Sequence, residues 1–212
     1  MKQEGSGLDS NGTRVGDRHP RALLVIGHGR RDSLCHRLLE AARRTLEAKG
    51  SEVRVQDLLA DGFDPVLHLG PGATAALPEH ACAMGRRYQE DVLWMDTLVI
   101  VHPVWWFAPP AILKGWVDQV LVDTIAFRRP PSGLPQPLLG GRRALLIQTY
   151  NAPRIIDRLI MRGLSEMFWR RAVFFSIGIR DIRRLAFHGV DGISPAEAEK
   201  IERKVVRAAE AL

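Results

Sequence analysis

The sequence predicts an α/β domain built on a doubly wound, five-stranded parallel sheet with helices on both faces. Three observations predict it. Short, almost uninterrupted apolar runs recur at Arg21–Gly27, Thr97–Val101 and Ala144–Thr149, as parallel strands buried on both faces require. Helical periodicity fills much of the intervals between them. Clusters of Gly, Pro and polar residues punctuate the change from one kind of segment to the other. Strands that alternate with helices form parallel sheets.

The elements follow in order. Met1–Pro20 is rich in Gly, Ser, Asn and Asp and nearly free of large apolar residues. It is expected to be a disordered extension, which leaves 21–212 as one domain. Arg21–Gly27 is the first strand. Apolar or small residues at Leu34, Leu38, Ala41, Ala42 and Thr45 mark a helix that Gly50 stops. Val53 and Val55 alternate with polar neighbours in a second strand ending near Asp57. Residues 60–78, with Gly62, Pro65, Gly70, Pro71, Gly72 and Pro78, read as an irregular loop. A helix from about Glu79 to Met95 leads to the third strand, Thr97–Val101. Pro109-Pro110 opens a helix to about Val122, since proline suits a first helical turn. Arg128–Gly141 is too rich in Pro and Gly for regular structure. Ala144–Thr149 is the fourth strand. A broken helical region runs from Pro153 to Ile177, divided by Gly163 and ended by Gly178. Ile182–His188 is the fifth strand. Ser194-Pro195-Ala196-Glu197 forms a capping box that starts the last helix.

Composition narrows the function. At 212 residues, 46% hydrophobic and 25% charged, the chain can bury a core without disulfide staples. Cys35 and Cys82 form neither a disulfide framework nor a zinc pattern, which fits a reducing cytosol. No signal-type core and no apolar stretch of the ~18 residues a membrane span needs is present, so a soluble cytoplasmic protein without metal is expected. The net charge of +6 comes from scattered pairs such as Arg30-Arg31, Arg128-Arg129 and Arg183-Arg184. Scattered pairs read as solvated faces, and no nucleic-acid signature accompanies them.

Three loops at the carboxyl ends of strands carry the chemistry, because ligands of open α/β sheets bind there. After the third strand comes His102-Pro103-Val104-Trp105-Trp106-Phe107. Its aromatics either plug the sheet edge or face a flat, mostly apolar guest. After the first strand, Gly27-His28-Gly29 begins like a dinucleotide fingerprint, but Asp32 stands where its third glycine belongs. No P-loop is present either. His28, Arg30, Arg31 and Ser33 remain as donors to phosphate at a helix start. After the fourth strand lies Thr149-Tyr150-Asn151-Ala152-Pro153. His36, His68, His80 and His188 lack metal spacing and are expected on surfaces or loops. Lys114 either reaches phosphate or is solvated. Trp94, Trp116 and Trp169 are expected in the core or an interface.

The string Pro110-Ala111-Ile112-Leu113-Lys114-Gly115-Trp116, behind a proline and an aromatic run, resembles the flavin-contacting loop of the flavodoxin-like NAD(P)H:quinone oxidoreductase family. The likeness covers roughly 21–210 and is strongest at 103–116. It implies the flavodoxin-like sheet order, bound FAD or FMN, and NAD(P)H as co-substrate. It implies two electrons moving as hydride from nicotinamide through flavin to a quinone, azo compound or nitroaromatic. It places the cofactor against His28, Ser33, Leu34 and Cys35 (asparagine is typical at the last position), against Pro103, Val104, Trp105, Trp106 and Phe107, and against Thr149, Tyr150 and Asn151. Many members carry a glycine pair at those last two positions. Trp106, Phe127 and Tyr150 are implied to line the substrate pocket. The tyrosine that some members use as a proton relay has no match, since Ile155 and Ile156 occupy that region, so no catalytic side chain is assigned. Backbone N–H groups around Val104–Phe107 are left to stabilise negative charge on the ring. The family implies a homodimer. Two alternatives stand beside the enzyme: an ancillary, regulatory subunit, for example of a potassium efflux system, and a one-electron carrier, against which the basic charge speaks.

Overall fold

A computed structural model describes residues 19–68 and 81–212. The expected N-terminal extension therefore lies almost wholly outside the described residues, as do part of the 60–78 loop and His80.

The strands β1 (Arg21–Ile26), β2 (Glu52–Asp57), β3 (Thr97–Pro103), β6 (Arg143–Tyr150) and β7 (Asp181–His188) form one sheet in the order β2-β1-β3-β6-β7. Every pairing in it is parallel. This is the doubly wound flavodoxin-like order, with its switch point between β1 and β3. Between β3 and β6 the chain makes a minimal antiparallel pair, β4 (Phe127–Arg128) with β5 (Gln136–Pro137). The sequence predicted no regular structure there. Two residues per strand suffice to pair, and Pro137 sits at an edge where its missing N–H costs nothing.

Alternate residues of the strands face opposite layers. Leu23, Val25, Leu98, Ile100, Ala144 and Leu146 pack under α2 (Ala83–Trp94), α3 (Ala111–Val120) and the 164–177 segment. Ala22, Leu24, Ile26, Val99, Val101, Leu145 and Ile147 pack under α1 (Leu34–Ala48) and α6 (Pro195–Glu210). The capping box at Ser194 and Glu197 is complete. Helix α1 buries Cys35, Leu38, Leu39, Ala42 and Leu46, one face at helical spacing. Trp116 and Trp169 are fully buried core residues, and Trp94 lies partly buried under Arg54, whose guanidinium stands 4.1 Å from its ring.

The broken region is helical with π turns at Ile156–Ile160 and Phe168–Phe174, flanking or interrupting α4 (Leu164–Met167) and α5 (Phe175–Ile177). Gly163 and Gly178 both adopt left-handed conformations, so each marks a break as its sequence position suggests. Among the described residues, no helix is long and apolar enough to cross a membrane.

Candidate functional site

The carboxyl ends of β1, β3, β6 and β7 converge on a cleft of about 920 Å³. A volume of this size accommodates a drug- or cofactor-sized ligand. It is lined by His28, Ser33, Leu34, Cys35, Pro103, Val104, Trp105, Trp106, Phe107, Thr149, Tyr150 and Asn151. The structure thus brings the three sequence-marked loops to one place. Gly29, Arg30, Ala152, Val190 and Asp191 complete the wall. Phe127 does not line this cleft; it sits half-buried on β4 against the core. Lys114 does not reach it either, being exposed and paired with Asp118 at 2.6 Å.

Helix α1 heads the cleft. Ser33 caps it, accepting the His36 N–H at 3.3 Å. The capping leaves the N–H groups of Leu34 and Cys35 at the helix mouth, where the helix field favours an anion. His28 turns its Nδ1 to accept the Arg30 N–H at 3.0 Å. Burial, then the neighbouring His36, hold its pKa below the usual histidine value, so it enters the cleft as a neutral imidazole. The Cys35 thiol meets the Thr149 hydroxyl at 3.3 Å. Burial pushes this thiol up to about 11. Cys35 is buried and Cys82 partly exposed. A thiol reagent is therefore expected to titrate Cys82 in the native protein and Cys35 only after unfolding; two rapidly reacting thiols in the native state would contradict the burial.

The aromatic loop is a tight turn. Trp105 and Ala108 exchange backbone hydrogen bonds at 3.1 and 3.0 Å. The two residues between them, Trp106 and Phe107, take φ of 50° and 57°, the signature of a type I′ turn. Bulky residues there carry roughly 1 kcal/mol of strain each. Trp106 is 97% exposed, so no packing compensates it. The Val104 N–H goes to the Thr149 carbonyl and the Trp105 N–H to Ala108. Of the N–H groups expected to face a ligand, those two are spent. Trp106 and Phe107 keep theirs without an acceptor among the described residues.

Behind the cleft lies a polar network with little signature in the sequence. His102 is fully buried at the end of β3. Its Nδ1 donates to the Pro103 carbonyl at 2.7 Å, and its Nε2 accepts from Trp169 Nε1 at 2.9 Å. Burial, helped by Arg184, pushes its pKa down to about 4. Gln148 links this pair to Ser165 at 2.8 Å and accepts from Arg184 Nε at 2.7 Å. Arg184 also bonds Glu166 at 2.9 Å and the Tyr150 hydroxyl at 2.8 Å. Tyr150 is thus buried and points its hydroxyl away from the cleft, with its ring stacked 4.4 Å from His188. His36 and His188 are not the loop or surface residues expected. Each is half-buried and bound to a carboxylate, Asp57 at 3.1 Å and Asp157 at 3.2 Å. Their partners are remote in sequence, so no local spacing announced them. His68 is exposed, as expected.

A parallel sheet of this order with a helix-headed, aromatic-walled cleft at its switch point defines a doubly wound protein of the flavodoxin type. Comparison agrees: the family model described as a flavodoxin-like fold matches residues 20–212, and the chain belongs to that family. It is 34% identical over 124 residues to NAD(P)H dehydrogenase [quinone] 1 of Cavia porcellus, covering 50% of this chain and 45% of the relative. The chain thus spans about half the length of that curated relative. It is 29% identical over 187 residues to the FMN-dependent NADH:quinone oxidoreductase of Azotobacter vinelandii, covering 81% of this chain and 88% of the relative. Among solved structures, Smu.1420 from Streptococcus mutans superposes with a TM-score of 0.79 at 27% identity, over 91% of this chain and all of that one.

Proposed function

We propose that this protein is an FMN-dependent NAD(P)H:quinone oxidoreductase. The observation that carries the reading is the convergence of the β1, β3, β6 and β7 loops on a switch-point cleft with a helix mouth at one end and a strained aromatic turn at the other. A flavin mononucleotide has that same polarity, a dianionic phosphate and a flat ring. The residues fit it: the α1 mouth offers N–H donors, and the Trp106 and Phe107 N–H groups lack acceptors among the described residues. The name of the Azotobacter relative favours FMN over FAD.

In this reading Ser33, Leu34 and Cys35 hold the phosphate, with His28 and Arg30 beside it. Pro103–Phe107 lie along the ring, and Thr149, the Tyr150 backbone and Asn151 meet its polar rim. The bound flavin supplies hydride acceptance and donation; the chain supplies orientation and electrostatics. Trp105 and Trp106 would wall the cleft beside the ring, and the cleft would admit nicotinamide and quinone to it. Tyr150 acts as a support, not an acid, because its hydroxyl is committed to Arg184.

The test is direct. Purified protein loaded with FMN should show flavin absorbance that bleaches with NADH or NADPH and returns with a quinone. A protein that takes up neither FMN nor FAD overturns the reading. The buried Tyr150 hydroxyl favours a second reading, a flavin-binding regulatory subunit. Flavin bound with negligible NAD(P)H oxidation would select it.

Two outcomes follow. Trp106→Asn, which tolerates a positive φ, is expected to raise stability by up to about 1 kcal/mol and to weaken FMN retention. Thermal melts and a flavin-binding titration check the two signs. A homodimer is part of the proposal, because Ile155, Leu159, Ile160 and Leu164 form an exposed apolar run beginning just beyond the cleft wall at Ala152. Exposed apolar clusters mark interfaces. Leu159→Glu should shift the mass measured by light scattering from dimer to monomer, and a wild-type monomer would refute this part.

A further inference from the structure

Three side chains join β2 to the cleft. Asp57 Oδ2 lies 3.1 Å from His36 Nε2, and His36 Nδ1 lies 2.9 Å from the Ser33 hydroxyl. The carboxylate is fixed from its other oxygen, which accepts the Ala60 N–H at 3.1 Å. Ser33 belongs both to this chain and to the cleft wall. None of the motifs above required His36 or Asp57.

The proton positions follow from donor and acceptor rules. A carboxylate only accepts, so neutral His36 carries its hydrogen on Nε2 and leaves Nδ1 bare. The Ser33 hydrogen then points back to Nδ1, and the cleft meets an oxygen that cannot donate. When His36 binds a second proton, Nδ1–H donates to Ser33 instead. The Ser33 hydrogen is released and can turn to the cleft.

We infer that Asp57, His36 and Ser33 couple phosphate binding at the α1 mouth to uptake of one proton by His36. The inference rests on the proposed FMN site and adds a positioning residue to it. A dianion at the helix mouth draws out the Ser33 hydrogen, and the proton on His36 replaces it in the chain. The two events favour one another for a second reason. The amino end of a helix disfavours a charged imidazole in its first turn, and a bound dianion reverses that field.

The groups facing His36 bear on the sign. From β2 comes Asp57, which favours the charged ring. From the β1–α1 loop comes His28, edge-on with ring centroids 6.0 Å apart, which opposes it. Arg30 and Asp32 of that loop pair with each other at 2.9 Å. On the same helix, Arg37 pairs with Glu202 of α6 at 2.5 Å. Burial, then His36, hold the His28 pKa below the usual histidine value, and of the two rings His36 is the one that faces the Asp57 carboxylate, so the inference places the proton there.

The experiment is calorimetric titration of flavin-free protein near pH 7.5, with FMN and with riboflavin, in two buffers of different ionisation enthalpy. At that pH the FMN phosphate is already a dianion, so uptake reports the protein. FMN should bind with uptake of a substantial fraction of a proton, and riboflavin, which lacks the phosphate, with none. NMR of the wild-type imidazoles should show the His36 titration midpoint rising by about one pH unit on FMN addition, which corresponds to about a tenfold change in affinity across the window. His36→Gln should abolish the uptake while still binding FMN. Binding of FMN without proton uptake, uptake that persists in the variant, or equal uptake with riboflavin overturns the inference alone. Failure to bind either flavin overturns the proposed function and this inference with it.

Discussion

Gly115→Ala is expected to cost about 3 kcal/mol or more, although alanine is the better helix former by about 1 kcal/mol. Gly115 is buried in α3, directly after the aromatic turn. A Cβ there would stand 2.5 Å from the Pro65 Cα and 2.6 Å from its Cβ. Neither is the tip of a flexible side chain. The Pro65 segment cannot retreat, because Gln119 from the next turn of α3 donates to the Asp64 carbonyl at 2.6 Å and to the Val66 carbonyl at 3.4 Å. Overpacking against pinned backbone outweighs the propensity gain. For a domain of this size each kcal/mol shifts Tm by roughly 2–4 °C, so a drop of about 6–12 °C is expected. An unchanged melt would show that the 64–66 segment yields. The same contact explains why a glycine stands inside the string that carried the family resemblance: it admits the chain after β2 against α3.

The sheet was legible because burial on both faces leaves its central strands no room for polar alternation. β1, β3 and β6 are continuous apolar runs, and their ends fell within a residue or two of expectation. The cleft was legible for a related reason. Once the strands are parallel, the loops at their carboxyl ends share one edge, and Ser33, Trp105 and Thr149 must be neighbours. What stayed hidden depends on contacts remote in sequence. Val190 and Asp191 enter the cleft because β7 pairs with β6 and Val190 donates its N–H to the Tyr150 carbonyl at 3.1 Å. Asp57 and Asp157 find His36 and His188 across the fold. Phe127 could be tied to a pocket only through resemblance, and in the single chain β4 holds it against the core. The π turns look in sequence like an ordinary broken helix, since a bulge of one residue alters periodicity less than Gly163 does. His102 had one readable sign, a lone histidine closing an otherwise apolar strand.

That histidine should make the protein acid-labile. His102 is neutral in the folded state, with its pKa pushed down to about 4 from 6.5. The unfolded chain binds a proton below pH 6.5 and the folded chain does not, so the stabilisation is whole above pH 6.5 and is lost progressively between 6.5 and about 4. At about 1.4 kcal/mol per pH unit, the loss is on the order of 3 kcal/mol. His102→Gln keeps one donor and one acceptor without a titratable ring. It is expected to be less stable by about 1–2 kcal/mol at pH 7.5, through poorer geometry to Pro103 and Trp169. Its stability should then fall less steeply with acid, and the two curves should cross between roughly pH 5 and 6. Urea unfolding at half-unit pH steps measures both. Parallel curves would mean that another group controls acid stability. The consequence reaches the cleft, because the Nδ1–H of His102 holds the carbonyl of Pro103, the first residue of the aromatic loop. Protonation leaves that bond in place but gives Nε2 a hydrogen that confronts the Trp169 N–H, two donors in a buried space with no acceptor between them. Relief requires the β3 end to shift, so loss of the Pro103–Phe107 wall is expected to accompany the acid transition. Tryptophan fluorescence, to which the Trp169 indole bonded to His102 contributes directly, should therefore change in the wild type over the same pH range and stay flat in His102→Gln.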